Sequence, residues 1–323
     1  MDNGKFRIRG TVRNKDNAAK IDPLKQAYGD DFASIELVEA DLLDPASMKR
    51  AVAGSEYVVH VASPFPLAPP EHDDDLIKPA VEGTAAAVNA AIATNAKKIV
   101  VTSSCVAIGL GYPPDRTTFT EADWSKTENF AVPDFNAYAK SKTFAEKKAW
   151  ELVEAHNAHL SEGQTRLDMV SMNPGLILGP NLVTTRFSSG DMMAGVITGG
   201  MPALPACHFP MVDVRDCAKA HVEGVLRETA NGKRFILNAG DAWFATTAGI
   251  VKESGEFPGY ETHEREAERD TTGLKPFGIP LTFVNTASKE ILGIDYIPLK
   301  DSVIDMGKAL IATGYIPPVA EAQ

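Results

Sequence analysis

The chain has 323 residues, of which 44% are hydrophobic and 23% charged, and its formal net charge is −11 at pH 7. That composition is ordinary for a globular protein long enough for one large core or two joined lobes. The net charge is negative and the charged residues show no regular pattern, which argues against nucleic acid or an anionic membrane as the main partner.

The cysteines and the apolar segments indicate the cellular compartment of the protein. Cys105, Cys207 and Cys217 are odd in number and never in C-x-x-C spacing, so neither a disulfide framework nor a metal site is expected. The sequence has no run of about 18 apolar residues and no charged-then-apolar start. We therefore expect a soluble protein of the cytoplasm.

The first half of the chain alternates between strand and helix patterns. Asp44 followed by Pro45 predicts the cap and the first position of a short helix. Residues 57–61 are apolar enough to predict a strand buried on both faces. Strands are predicted at 5–12, 34–40, 57–61, 98–102 and 167–172, and helices at 16–28, from 45, at 75–95 and at 138–156. This alternation predicts an α/β fold with a doubly wound parallel sheet.

Beyond Pro174 the pattern loosens. A helix is predicted at 214–228 and a strand at 235–238, whereas 255–280 is polar and predicts surface loops and a helix. We expect a nucleotide-binding core over residues 1–174 and a smaller substrate-binding lobe over 175–323, with some segments of the lobe returning to the core. The usual place for a substrate cleft is between two such parts.

The most informative motif is a tyrosine and a lysine four residues apart. Tyr138 and Lys142 lie within the helix predicted at 138–156, where this spacing places both side chains on one face. A tyrosine hydroxyl has a pKa of about 10, and an ammonium one turn away lowers that pKa towards the range useful for acid–base catalysis. Both residue types are common, and the pair alone is also compatible with an ordinary amphipathic helix.

Two serines strengthen the catalytic interpretation. Ser103 and Ser104 follow the strand predicted to end at Thr102, at the carboxyl end where open α/β sheets bind ligands. Residues 61–64 and 173–177 end two further strands and meet the same edge. The structural alternative for Ser104 is a helix cap or a turn, and Ser103 is as readily structural as functional.

Several segments carry a family resemblance. They are VASPF at 61–65, TSSC at 102–105, NAY at 136–138 and SKTFAE at 141–146, with further segments at 211–221 and 291–293. In these segments the chain resembles the extended short-chain dehydrogenases/reductases. It looks most like the dihydroflavonol-reductase-like branch, and within it the fungal NADPH-dependent methylglyoxal and aldehyde reductases. The resemblance covers nearly the whole chain and implies a Rossmann-like core.

The resemblance implies a role for each of three side chains. Tyr138 would give a proton to the substrate carbonyl oxygen as hydride arrives from the nicotinamide. Lys142 would lower the pKa of that tyrosine and bond the nicotinamide ribose. Ser104 would hold and polarise the carbonyl oxygen of a small-molecule substrate.

The end of the first strand bears on cofactor choice. NAD-binding proteins place an acidic side chain there, whereas an arginine accommodates the 2′-phosphate of NADP. Arg13 stands at this point with Lys15 and Lys20 nearby, so NADPH is favoured over NADH, and a solvated basic turn is the structural alternative. The resemblance implies further cofactor contacts at Asp41 and Leu42, at Val61, Ala62 and Ser63, and at Pro174, Gly175, Leu176, Ile177 and Ser189.

The glycine-rich loop of the family has no counterpart in these 323 residues. Members begin with a strand, then G-x-x-G-x-x-G, then a helix whose N-terminus holds the pyrophosphate. By comparison, residue 5 begins the second strand of the family. Without the central first strand, two unpaired strand edges are expected inside the sheet. Three explanations stay open: a start codon assigned too late, a short form that has lost cofactor binding, or another segment or subunit that fills the gap.

The expected substrate is a small aldehyde, ketone or 2-oxoaldehyde. Plant flavonoid reductases commonly carry an asparagine five residues after the catalytic serine, where this chain has Gly109. Plant cinnamoyl-CoA reductases share the pattern of Asn136, Tyr138 and Lys142, but the rest of their motif is not kept.

Four further residues are weighed for the substrate cleft. His208, Phe209 and Met211 are candidates for lining it, with core packing favoured for Phe209 and Met211. Cys105 is expected to fill core space rather than act as a nucleophile.

Two other functions remain open at this stage. A nucleotide-sugar epimerase or dehydratase would share the fold and the serine, tyrosine and lysine, but would hold NAD through turnover, against which Arg13 argues. A non-catalytic binding protein on a reductase scaffold is suggested by the missing glycine loop. In each case the chain is expected to be a monomer or a homodimer.

Overall fold

A computed structural model describes residues 6–64, 70–129, 133–183, 185–262, 264–269 and 277–319, with 133–136 as backbone only. Phe65 and the side chain of Asn136, both in the motifs above, lie outside the described part. The strands are β1 (Ile8–Val12), β2 (Ile35–Glu39), β3 (Tyr57–His60), β4 (Lys98–Thr102), β5 (Thr118–Phe119), β6 (Asp168–Pro174), β7 (Leu176–Leu178), β8 (His208–Asp213), β9 (Lys233–Leu237), β10 (Gly240–Trp243) and β11 (Thr282–Phe283). The α-helices are α1 (Ala18–Tyr28), α2 (Pro45–Val52), α3 (Asp74–Ala93), α4 (Pro133–Ala158), α5 (Ser188–Ile197), α6 (Val214–Leu226), α7 (Ala245–Ser254), α8 (Thr286–Glu290) and α9 (Leu299–Ala312).

The central sheet is parallel and has the order β3-β4-β6-β9. Alternate residues of β4 face two different helical layers. Ile99 packs with α3 and α4, whereas Val100 packs with α6 on the opposite face. The predicted α/β fold with a parallel sheet is therefore confirmed. Helices cover both faces of the sheet because each packs its apolar face against it.

β1 and β2 form a separate parallel pair. Among the described residues β1 pairs only with β2, and β3 pairs only with β4, so the sheet is interrupted between β1 and β3. This is the pair of open strand edges expected from the missing central strand. An edge-to-face contact between the rings of Phe6 and Tyr57, 6.2 Å apart, connects the two sides of the interruption.

The prediction that β3 is buried on both faces is wrong. Tyr57 is 36% exposed, Val59 is 45% exposed, and Val61 just beyond the strand is 62% exposed. The apolar composition of β3 matches that of the buried β4, but β3 lies at the open edge of its sheet. Burial here follows from the number of neighbouring strands and not from composition.

The second half of the chain builds a smaller sheet of order β10-β8-β7, with β10 antiparallel to β8. A separate apolar cluster joins this sheet to α5, α7 and α9. β9 belongs to the central sheet and α6 packs on one face of it, so later segments do contribute to the first core. The boundary between residues 174 and 175 stays a prediction.

Observed element ends differ from the predicted ends at several places. α4 begins at Pro133, five residues before the predicted start, and Asp44 caps α2 as predicted by accepting from the backbone N–H of Ala46 at 3.0 Å. The described residues between 255 and 280 contain no helix, contrary to expectation. In the described part of the chain, no helix is long and apolar enough to cross a membrane.

Candidate active site

Ser104, Tyr138 and Lys142 meet at the carboxyl end of the central sheet. Ser104 lies just past β4, and the other two lie on α4, which packs along the sheet. The described side chains of α4 place Lys142 one turn after Tyr138, as predicted. Lys142 is buried and its Nζ is 3.5 Å from the carbonyl oxygen of Thr102 at the end of β4.

Ser104 has both a structural and a functional environment. Its backbone is extended, and its Oγ accepts from the N–H of Val106 at 3.3 Å, so it caps a short 3₁₀ turn that begins at Cys105. The same side chain lies close enough to the phenol of Tyr138 to lower its pKa. The cap therefore supports the structural alternative and also fixes the serine side chain beside the tyrosine, while the catalytic role of Ser104 stays a prediction.

Burial dominates the acid–base properties of Tyr138. It raises the pKa of the phenol to about 12, the nearby Cys105 raises it further, and the neighbouring Ser104 opposes both. The expectation that Lys142 lowers this pKa below its ordinary value is therefore wrong for this geometry. Tyr138 packs against an apolar cluster that includes Phe119 and Phe283, which explains the cost of forming the phenolate.

Burial moves the lysine in the opposite sense. It lowers the pKa of Lys142 to about 8, and the carboxylate of Glu146 acts against this. Burial and the charge of Lys142 together lower the pKa of His60 to about 4, so its ring is neutral at neutral pH. Lys142 is therefore the cation of this site.

Glu146 and Arg234 were not predicted as site residues from the sequence. Ser103 donates to Glu146 at 2.6 Å, so Ser103 has the structural role left open above. Arg234 of β9 pairs with the same carboxylate, and Asn173 donates to it. Glu146 could have been found from its position one turn after Lys142 within SKTFAE. Arg234 is 88 residues away from Glu146, and no sequence pattern indicates it.

The predicted nucleotide end lies on the β1–β2 pair. Arg13 and Lys20 are exposed, and neither side chain has a hydrogen-bond or ion-pair partner among the described residues. Asp41 is exposed and accepts from the N–H of Leu43 at 2.9 Å. Leu42 packs against Gly83 of α3, where an added Cβ would lie 3.1 Å from it.

The predicted wall and nicotinamide-side residues surround the end of the central sheet. Val61 and Ala62 are exposed and Ser63 is half-buried beyond β3. Gly175 lies against Pro210 so closely that a Cβ would be 2.2 Å from that carbonyl oxygen. Pro174 ends β6, Leu176 and Ile177 belong to β7, and Ser189 is buried in the first turn of α5.

The four residues considered for the substrate cleft lie in different surroundings. Met211 is fully buried in the cluster that joins β8 to α5, α7 and α9, as favoured, and Phe209 is half-buried between that cluster and the one beside Tyr138. His208 accepts from the N–H of Leu281 at 3.3 Å and contacts Trp243 edge to face. Burial raises the pKa of Cys105 to about 12, which agrees with a core role.

Comparisons with known proteins identify the family of this chain. The model of the 3-beta hydroxysteroid dehydrogenase/isomerase family matches residues 8–190. An uncharacterised oxidoreductase of Saccharomyces cerevisiae is 31% identical, over 95% of this chain and 91% of that protein. Cinnamoyl-CoA reductase 1 of Petunia hybrida is also 31% identical, over 97% of this chain and 87% of that protein.

A solved structure has the same fold. Yeast methylglyoxal/isovaleraldehyde reductase, complexed with NADPH, is 23% identical and covers 97% of this chain and 93% of its own, with a TM-score of 0.77. The chain therefore belongs to the 3-beta hydroxysteroid dehydrogenase/isomerase family, and the resemblance to dihydroflavonol-reductase-like oxidoreductases inferred from its motifs is confirmed.

Proposed function

We propose that this protein is an NADPH-dependent reductase of aldehydes and ketones in which Tyr138 is the proton donor. The observation that carries the proposal is that Ser104 and Tyr138 lie together at the carboxyl end of the central sheet, close enough for the serine to lower the pKa of the phenol, with the buried ammonium of Lys142 one turn away. A hydroxyl pair beside a cation provides both a proton and electrostatic stabilisation for a carbonyl oxygen that becomes negative.

The elevated pKa of Tyr138 fits the direction of the reaction. With a pKa of about 12 the phenol is protonated at neutral pH, so it starts as an acid. When bound, the reduced nicotinamide supplies a hydride to the carbonyl carbon. The Tyr138 proton passes to the carbonyl oxygen, and the Ser104 hydroxyl holds that oxygen beforehand. The resulting phenolate is stabilised by Lys142, whose ammonium is present below a pH of about 8.

The residues at the nucleotide end fit a 2′-phosphate. Arg13 and Lys20 are exposed cations without partners among the described residues, and Arg13 directly follows β1. The carboxylate of Glu39 accepts from the backbone N–H of Lys15 at 3.0 Å, which places an acidic group in the same turn. A guanidinium binds phosphate through paired hydrogen bonds, so we assign the 2′-phosphate to Arg13 and supporting charge to Lys20.

The remaining predicted contacts fit the rest of the cofactor. We assign Asp41 and Leu42 to the adenine end, and Lys142 to the nicotinamide ribose. Between the two ends lies the interruption between β1 and β3, and no residue of this chain is assigned to the pyrophosphate. The wall and nicotinamide-side contacts are assigned to Val61, Ala62 and Ser63 and to Pro174, Gly175, Leu176, Ile177 and Ser189.

The surroundings of Tyr138 favour a small, apolar carbonyl compound. Tyr138 lies at the margin of an apolar cluster that also contains Tyr112, Phe209 and Ile279. At Gly109 an added Cβ would be 2.7 Å from the ring of Phe283, so aromatic carbon takes the place where flavonoid reductases carry an asparagine. Aldehydes, ketones and 2-oxoaldehydes with short apolar groups fit this lining.

The test is NADPH oxidation with a carbonyl panel of methylglyoxal, isovaleraldehyde, cinnamaldehyde and a cinnamoyl thioester. We expect turnover of at least one aldehyde and a loss of about 10²–10⁴-fold in kcat for Tyr138→Phe, the usual contribution of a positioned acid. No turnover of any member by the wild type would contradict the proposal. Turnover that is unchanged in Tyr138→Phe would remove Tyr138 from the mechanism.

A further inference from the structure

A fully buried carboxylate lies one helical turn beyond Lys142. The side chain of Glu146 has no exposed surface, and its Oε1 accepts from Nε of Arg234 at 2.6 Å. Burial raises the pKa of Glu146, but the charge and hydrogen bonds of Arg234, with those of Ser103 and Asn173, outweigh burial and leave the pKa below its ordinary value. The group is therefore charged at neutral pH.

The second oxygen of this carboxylate faces the segment that carries the catalytic serine. Oε2 accepts from Oγ of Ser103 at 2.6 Å and from Nδ2 of Asn173 at 2.9 Å. The same Asn173 amide donates to the backbone oxygen of Ser104 at 3.2 Å. Glu146 thus fixes the residue before Ser104 directly, and the backbone of Ser104 through one amide.

The charge of Glu146 also acts on Lys142. Among the described residues, the titratable groups around this lysine are Tyr138 and Glu146 on its own helix and His60 from β3, while β4 contributes the carbonyl oxygen of Thr102. His60 is neutral because its pKa is about 4, and Tyr138 is neutral because its pKa is about 12. Glu146 is therefore the charged neighbour that keeps the lysine protonated against the effect of burial.

Arg234 has partners besides the carboxylate. Its Nη1 donates to the carbonyl oxygens of Glu121 and Asp123 at 2.8 and 2.6 Å, and its guanidinium stacks on Trp124 at 3.7 Å. The guanidinium therefore keeps hydrogen bonds and a ring contact when the negative charge of Glu146 is removed. We therefore choose Glu146→Gln as the test substitution, since it leaves the arginine with these partners.

We propose that Glu146 is a positioning residue for the reduction, which holds Ser104 in place beside Tyr138 and keeps Lys142 in its charged form. This inference rests on the proposed function. A buried ion pair with a purely structural role would change stability alone. A positioning role predicts in addition a change in kcat and a change in the pH at which activity is lost.

The experiment compares wild type, Glu146→Gln and Glu151→Gln by steady-state reduction over a range of pH. We expect Glu146→Gln to lose about 10–100-fold in kcat, in line with the effect of misplacing a reacting group, with the KM for NADPH little changed. Its alkaline loss of activity moves to lower pH, because the charge that raises the pKa of Lys142 is gone. Glu151 is the matched control, since it lies on the same helix and pairs with Lys148 at the surface.

The results that would overturn the positioning role of Glu146 are as follows. A folded Glu146→Gln with the wild-type kcat and the wild-type alkaline limb overturns the proposal. If circular dichroism shows that this variant does not fold, Ser103→Ala decides, because it removes the 2.6 Å bond and leaves the pair with Arg234. We expect about tenfold lower kcat with an unchanged alkaline limb, and an unchanged kcat overturns the proposal. A wild type without turnover contradicts the proposed function instead.

Discussion

Tyr138 and Lys142 show how one physical cause separates two pKa values. Burial disfavours the charged form of each group, so it raises the pKa of the phenol to about 12 and lowers that of the ammonium to about 8. The tyrosine stays protonated at neutral pH and the lysine stays charged. That combination suits proton donation to a carbonyl oxygen more than proton removal from an alcohol.

The first prediction is the pH dependence of the reduction. Lys142 has a lowered pKa, so its charged form is present below about pH 8 and is lost as the pH rises through that value. We expect kcat/KM for the aldehyde to fall above about pH 8, with Tyr138 still protonated there. The measurement is initial rate against pH at saturating NADPH. A profile that stays level to about pH 10 would contradict the assignment of the charged lysine.

The second prediction concerns Gly109. Gly109→Asn introduces a Cβ within 2.7 Å of Phe283 and 2.9 Å of Phe119, so we expect it to lower the free energy of unfolding by about 1–3 kcal/mol and not to create a flavonoid reductase. Urea denaturation measures the change. Gly249→Ala in α7 is the control, because nothing lies within 4 Å of its added Cβ and alanine favours the helix by about 0.5–1 kcal/mol. A neutral Gly109→Asn would show that the rings move aside.

The sequence was sufficient for the local part of the site and insufficient for the distant part. The spacing of Tyr138 and Lys142 on one helix and the position of Ser104 after β4 are local patterns, and the structure brings these residues together. The partnership of Glu146 with Arg234 joins α4 to β9 across 88 residues, and no local pattern records such a contact. The pKa of Tyr138 was predicted in the wrong direction because burial is a property of tertiary packing.

At the scale of elements, β3 and β4 have similar sequences and different surroundings. Residues 57–60 are YVVH and residues 98–102 are KIVVT, yet β3 has one neighbouring strand and β4 has two among the described residues. The alternation of elements through β6 was predictable because each strand and helix has its own apolar period. The short strands β7, β8 and β10 were not predicted, since segments of three to six residues are too short to show a clear period.

The third prediction follows from this contrast. We expect Ile99→Ala in β4 to lower the free energy of unfolding by about 2–5 kcal/mol, because its side chain is fully buried between strands and helices. We expect Val59→Ala in β3 to change it by less than about 0.5 kcal/mol, because Val59 is 45% exposed. Urea denaturation of the two variants makes the comparison. Costs of similar size would mean that the edge of β3 is covered in solution.

At the scale of the whole molecule, the proposed cofactor site spans two separate sheets. Arg13 and Asp41 follow the two strands of the β1–β2 pair, whereas Ser104, Lys142 and Pro174 lie at the carboxyl end of the central sheet. The resemblance to a family with a strand between these parts predicted the interruption, and the structure has it. One ligand bound at both ends would join the two sheets, so the proposed function requires that the 323-residue chain bind NADPH across this interruption.

The most direct test is a calorimetric titration of the 323-residue chain with NADPH and, separately, with NADH. We predict micromolar binding of NADPH that is at least about tenfold tighter than that of NADH, the factor expected for one charge-assisted contact to the 2′-phosphate. Arg13→Ala should reduce the affinity for NADPH to that for NADH. Failure of the chain to bind either cofactor, or equal affinities that Arg13→Ala leaves unchanged, would contradict an NADPH-dependent reductase built on these residues.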